Sequence, residues 1–315
     1  MSSETFTAAV VQAASVCFDL QGSLDKLESL AREAADNGAR LAVFPEAFLS
    51  GYPSSLDWGG QSAAIREDVA AADYERYWRS AIELDEQGHV QLSRIARETG
   101  LHLVVGVIER EQASLYCTSA MFGADGRFLG KHRKIMPTVA ERLVWTQGDG
   151  STLAAVETPL GKLGSVICWE NYMPLLRMHM YQQGIELYCA PTADDEPGWT
   201  ATMQHIAMEG RCYVLSANQF TRRGDFPADY GNFPSDDTDF IVSHGGSCIV
   251  DPFGKVLAGP DHEGETILYA DIDLSAIVRG KFYSDVVGHY ARPDLLSMTV
   301  NLAEMRNVRT ADEPG

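Results

Sequence analysis

Short apolar runs rich in β-branched residues alternate with helix-period segments along the whole chain, and that alternation constrains the fold most. Residues 6–13 and 40–44 read as buried strands, the second closed by Pro45-Glu46, with an amphipathic helix over 22–37 between them that puts Leu24, Leu27 and Leu30 on one side. A helix near 87–99 leads into the strongly apolar run Leu103-Val104-Val105-Gly106-Val107-Ile108. Residues 115–122 and 127–132 flank Gly123-Ala124-Asp125-Gly126, a hairpin signal. The second half repeats the logic, with strands near 152–157, 162–168, 186–190 and 213–217 and helices over 172–183 and 199–211. Late strands are expected near 246–250, 255–258 and 266–271. Such alternation specifies an α/β protein with a layered sheet core. No low-complexity linker divides the 315 residues, so a single domain over 1–315 is expected, with its core over about 6–280 and a C-terminal extension over about 281–315. Residues 53–75 and 222–239 read as long loops, either pocket or interface elements or solvated segments.

Several partner classes are disfavoured by charge and spacing. The formal net charge is −19, and Lys131-His132-Arg133-Lys134 is the one basic cluster, a poor footprint for nucleic acid. No uninterrupted apolar run approaches the ~18 residues of a membrane span, and Met1 is not followed by a basic segment and an apolar stretch. The six cysteines contain no Cys-x-x-Cys pair, which favours reduced thiols and a cytoplasmic location. The eight histidines form no His-x-x-x-His or Cys/His cluster, and no Gly-x-Gly-x-x-Gly follows a strand. Neither a metal nor a nucleotide cofactor is expected.

Three ionisable residues each lie just past a predicted strand: Glu46, Lys134 and Cys168. Strand ends are where open α/β folds keep reactive groups. An ordinary thiol, with a pKa of ~8.5, is only a few per cent ionised at neutral pH, so a nucleophilic Cys168 needs a base and a cation. Glu46 supplies the base, and Lys134 the charge that favours thiolate and stabilises a developing anion. Taken singly, each has a plainer reading: inert filler for Cys168, a solvated turn for Lys134, a cap for Glu46. Their joint placement carries the catalytic reading. Tyr52 beyond Glu46, Trp169 and Glu170 beside the thiol, and Pro191 and Thr192 at the next strand end are candidate pocket residues. Trp58, Trp145 and Trp199 line a pocket or simply pack, with packing favoured.

Phe44-Pro45-Glu46-Ala47-Phe48, His132-Arg133-Lys134-Ile135-Met136-Pro137-Thr138 and Cys168-Trp169-Glu170-Asn171-Tyr172-Met173-Pro174 occur in that order. With them the chain, from Ala8 to Asp294, resembles the nitrilase branch of the carbon–nitrogen hydrolase (nitrilase) superfamily. The resemblance implies a four-layer α-β-β-α sandwich, with Glu46 as general base, Lys134 as charge-stabilising group, Cys168 as nucleophile and Glu141 positioning the lysine and substrate. It further implies a nitrile as substrate, cleaved to acid and ammonia through a thioimidate and a thioester without a cofactor. A homodimer is the implied building block, with spirals or filaments beyond it. Many microbial relatives carry a longer tail after the counterpart of His289-Tyr290-Ala291-Arg292-Pro293, so a shorter assembly is expected here. An amidase using the same residues, or a catalytically silent assembly protein on the same scaffold, are the other readings.

Overall fold

The computed structural model describes residues 5–54, 68–85, 89–231 and 233–305. In chain order the first half runs β1 (Phe6–Gln12), α1 (Leu20–Asp36), β2 (Ala39–Val43), α2 (Asp68–Ser80), α3 (Val90–Thr99), β3 (His102–Glu111), β4 (Ser114–Phe122) and β5 (Phe128–Arg133). Next come β6 (Val156–Thr158), β7 (Gly161–Ser165), α4 (Pro174–Gln182), β8 (Leu187–Cys189), α5 (Trp199–Gly210) and β9 (Tyr213–Ser216). The chain continues through β10 (Phe220–Arg222), β11 (Ile241–His244), β12 (Cys248–Val250), β13 (Val256–Ala258), β14 (Thr266–Ile272) and α6 (Ser275–Tyr283).

Among the described residues these strands form two six-stranded sheets, β14-β1-β2-β3-β4-β5 and β13-β12-β9-β8-β7-β6, and a β10-β11 ribbon. Side-chain alternation along each strand builds the layers. Ala8 and Val10 of β1 face inward, where they join Leu41, Val43 and Val104 against Leu163, Leu187, Leu215 and Ile249 of the second sheet. Ala9 and Val11 face outward, under Leu24, Leu27, Ala31 and Ala34 of α1 and Leu92 and Ile95 of α3. On the other outer face Met180 of α4 and Met203, Ile206 and Ala207 of α5 cover Tyr188, Val214 and Val250. The result is an α-β-β-α sandwich. Each fully buried leucine such as Leu27 or Leu41 contributes about 1.5–3 kcal/mol relative to exposure, which makes these three apolar layers the main source of stability. No helix among the described residues is long and apolar enough to cross a membrane.

The predicted strand near 152–157 is shorter, because Asp149 caps a 3₁₀ turn at Gly150–Thr152 and pairing begins only at Val156. Residues 55–67, and with them Trp58, lie outside the described residues, but α2 occupies the end of the first long segment, 53–75. Its buried Tyr77 donates to the Gly51 carbonyl at 2.9 Å. The second segment spans the gap between β10 and β11. There the buried Arg223 guanidinium gathers the carbonyls of Phe226, Pro227 and Ala228 at 3.1–3.2 Å.

Candidate active site

Lys134 is the first residue past β5. Its N–H donates to the Cys117 carbonyl and its own carbonyl accepts from Gly148, each at 2.8 Å, so the side chain leaves from a fixed backbone. The ammonium is buried and lies 2.7 Å from both Glu46 Oε1 and Glu141 Oε2. The indole of Trp145 lies to one side, its ring centroid 5.3 Å from Nζ.

Glu46 sits in the turn after β2, where Phe44 still pairs with Val104 and Ala47 turns the chain at a φ of 52°. Gly106 of β3 passes directly beneath that turn. The Glu46 carbonyl accepts from Gln219 Nε2 at 2.8 Å, and the Cys117 thiol donates to Oε1 at 3.4 Å. Oε1 therefore serves two donors. Oε2 is buried and has no hydrogen-bond partner among the described residues.

Glu141 belongs to the 3₁₀ turn Val139–Leu143, begun by a capping box in which Thr138 N–H donates to Oε2 at 2.6 Å. Its other oxygen accepts from the Tyr52 hydroxyl at 2.6 Å. Tyr52 packs edge-on against Trp145, with ring centroids 5.7 Å apart.

Cys168 opens the 3₁₀ turn Cys168–Tyr172 with a left-handed φ of 50°, a conformation a side chain disfavours. Surrounding bonds hold it there. Its N–H donates to the Pro191 carbonyl at 2.9 Å, and Asn171 Nδ2 donates to the carbonyls of Cys168 at 2.8 Å and Val166 at 3.0 Å. Tyr188 in turn donates to Asn171 Oδ1 at 2.9 Å, and the Thr192 hydroxyl donates to Cys168 Sγ at 3.2 Å.

The electrostatics follow from enclosure. Burial pushes the Glu46 carboxyl above its ordinary range, against the pull of Lys134. Burial works against the Lys134 ammonium, yet Glu46 first, then Cys168 and Glu141, hold its pKa well above that of a free lysine. Burial and then the Glu46 charge raise the Cys168 thiol, with Lys134 opposing them. Lys134 pulls towards thiolate, as its charge implies, but burial and the Glu46 charge outweigh that pull. Burial and the Glu141 charge likewise keep Tyr52 protonated, as a donor.

The structure thus brings Glu46, Lys134, Glu141, Tyr52, Cys168, Pro191 and Thr192 into one connected region. Trp169 is on its rim, 45% exposed, with its indole N–H on Asp194 Oδ2 at 2.8 Å. Glu170 is not brought to the cluster: its carboxylate is buried and taken by Ile135 N–H, Ile167 N–H and His132. Trp199, the first residue of α5, packs in the core, and Trp145 packs while flanking Lys134. Cys117, Asn171, Gln219 and Gly106 had no assigned role. Gly106 alone carried a sequence signal, since a glycine inside an apolar strand marks close backbone approach. Among the described residues no group of three or more His, Cys, Asp or Glu side chains is placed to hold a metal.

The carbon-nitrogen hydrolase family profile matches residues 7–282. The chain belongs to that family. Carbon-nitrogen hydrolases at about half identity place it in the nitrilase branch. A nitrilase of Bradyrhizobium diazoefficiens is 52% identical over 306 residues, covering 97% of this chain and 95% of the relative. An aliphatic nitrilase of Sinorhizobium fredii is 53% identical over 296 residues, covering 94% and 96%. A bifunctional nitrilase/nitrile hydratase of Lupinus angustifolius is 50% identical over 301 residues, covering 94% and 86%. Among solved structures, a Saccharomyces cerevisiae member of the nitrilase superfamily superposes with a TM-score of 0.71 at 22% identity, covering 91% of this chain and 97% of its own. A Helicobacter pylori carbon-nitrogen hydrolase gives 0.71 at 22%, covering 94% and 99%. These two likenesses establish the sandwich fold.

Proposed function

We propose that this chain is a nitrilase, hydrolysing R–C≡N with two waters to R–COOH and ammonia, with Cys168 as nucleophile, Glu46 as base, and Lys134 and Glu141 completing the charged set. The observation that carries the residue assignment is the division of labour on Glu46. Oε1 is saturated by Lys134 and Cys117, while Oε2 is buried and unpartnered, ready to take a proton.

Burial raises the thiol pKa, so attack couples S–H deprotonation by Glu46 to C–S bond formation at the nitrile carbon. The nitrile nitrogen receives a proton, giving the thioimidate R–C(=NH)–S. A water, losing its proton to Glu46, adds to that carbon to give a tetrahedral species. Lys134 is the cation available to the charge that develops there. Loss of the nitrogen as ammonia leaves the thioester R–C(=O)–S, and a second water releases the acid and regenerates the thiol. Breaking C–S before C–N releases the amide instead. Glu141 and Tyr52 restrain Lys134, and Thr192 and Pro191 restrain Cys168. The same reading takes residues 1–315 as one domain, the cytoplasm as its location and a homodimer as the building block. The dimer is supported by the exposed Phe282 and Tyr283 at the end of α6 and is measurable by light scattering.

The deciding experiment pairs substrate with variant. Ammonia release from a panel of aliphatic, aromatic and arylacetonitriles, and from their matching amides, should favour nitriles. Cys168→Ala should abolish both turnover and the substrate adduct on the Cys168 peptide. Amides reacting much faster than every nitrile would favour an amidase, and turnover surviving in the Ala variant would remove Cys168 from the mechanism.

A further inference from the structure

Lys134 and Cys168 reach the site from different sheets, Lys134 past β5 of the first and Cys168 past β7 of the second. Among the described residues no ladder hydrogen bond joins those sheets, and apolar side chains fill the space between them. Apolar packing is non-directional, so by itself it holds two sheets together without fixing one chemical group against another. A directional link does exist at the site, and it runs through Glu170.

Glu170 Oε1 accepts from the Ile135 N–H at 2.6 Å, and Oε2 accepts from the Ile167 N–H at 2.8 Å. Ile135 follows Lys134, and Ile167 precedes Cys168. His132 Nε2 lies 2.9 Å from Oε2. Both oxygens are occupied and the residue is only 1% exposed, so Glu170 does not present a free group to substrate. We infer that Glu170 is a positioning residue: by bridging the main chain beside Lys134 to the main chain beside Cys168, it sets the ammonium against the nucleophile across the two sheets. The hydrogen bonds are suited to that task because they weaken steeply with angle and distance. His132 serves as a third donor that orients the carboxylate. This inference rests on the catalytic roles proposed for Lys134 and Cys168.

Glu170→Gln tests it. The carboxamide keeps the shape but offers one acceptor oxygen, so its NH₂ must face one of the two N–H groups and one end of the bridge opens. Counted per Cys168 site titrated with iodoacetamide, kcat should fall about 100-fold with KM changed less than about threefold, since a reacting group displaced by about 1 Å costs that much. His132→Gln retains a donor and both main-chain links, and should keep most of the wild-type kcat. A Glu170→Gln protein that melts lower but turns over normally per titrated site overturns the inference, because that is what a purely structural role predicts. A loss in His132→Gln as large as in Glu170→Gln also overturns it, by placing the effect in the side-chain pair. Cys168→Ala, run alongside, separates the two levels: turnover in that variant sinks the catalytic assignment itself, whereas a dead Cys168→Ala beside a normal Glu170→Gln sinks the positioning role alone. Should Glu170→Gln not fold, hydrogen exchange on the wild-type chain decides. The Ile135 and Ile167 amides should exchange slowly and together, and fast exchange at either one overturns the bridge.

Discussion

Gly106 lets Pro45 lie against β3: a Cβ at position 106 would stand 2.0 Å from the Pro45 carbonyl oxygen and 2.7 Å from the Glu46 Cα. Both atoms are backbone, so neither can rotate away. Gly106→Ala should push the Glu46 turn off the strand, lowering stability by about 1–3 kcal/mol through overpacking. Activity should fall much further, because the base moves with the turn. Denaturant titration and kcat/KM on the same preparation check this, and an active, folded Ala variant would show that Glu46 tolerates displacement.

Lys134 neutralises two buried carboxylates, so its removal has two separable effects. Lys134→Ala should cost turnover and also about 3–5 kcal/mol of stability, the usual consequence of leaving buried charge uncompensated. Adding Glu141→Gln to it should recover part of the stability and none of the activity. Recovery of activity in the double variant would show that Lys134 is a structural counter-ion.

Glu46 must be unprotonated to accept a proton, and burial raises its pKa above the ordinary 4.5. The acidic limb of kcat/KM should therefore lie above pH 4.5, with activity lost as pH falls through the raised value. Stability runs the other way for this residue: its contribution is present below 4.5 and is lost as pH rises through the folded-state value. A pH–rate profile with its acidic limb at or below 4.5 would assign that limb to another group.

Away from the site, Glu28 of α1 accepts from Arg94 of α3 at 2.5 Å and from Arg32 at 2.6 Å, and the guanidinium groups of Arg94 and then Arg32 lower its pKa from 4.5 to about 2. Its contribution is thus complete above pH 4.5 and is lost as pH falls towards 2. Arg32 is exposed and Arg94 half-buried at the surface, so solvent screening keeps it to roughly 1 kcal/mol or less. Glu28→Gln should flatten the stability profile in that window and leave neutral-pH activity unchanged. Equal acid sensitivity in the variant and the wild type, followed by denaturant midpoints, would assign the slope elsewhere.

The layers were legible because alternation does not depend on tertiary context. The apolar run of β1 is legible as a buried strand, and Leu24, Leu27 and Leu30 mark the side of α1 that packs on the core. Glu46, Lys134 and Cys168 were singled out because each follows a predicted strand, and the structure brings the three strand ends into one region. Glu170 was misplaced because adjacency to Cys168 along the chain says nothing of direction, and the 3₁₀ turn at Cys168–Tyr172 points its carboxylate to Ile135 and Ile167. Cys117 and Gln219 reach Glu46 across 71 and 173 residues of chain, through contacts no local pattern encodes. The raised pKa of the thiol was beyond reach as well, since it depends first on burial and then on the Glu46 charge.

The antiparallel pairing of β1 with β14, from Phe6 opposite Ile272 to Gln12 opposite Thr266, joins segments from near the two ends of the described chain. A ribosome adding about 5–20 residues per second makes β14 only after a delay on the order of tens of seconds. Until then one edge of β1 stays unpaired, offering a row of free N–H and C=O groups to any neighbouring nascent chain. Slowing translation between residues 12 and 266 lengthens the exposure of that edge and should increase this protein's demand for chaperones.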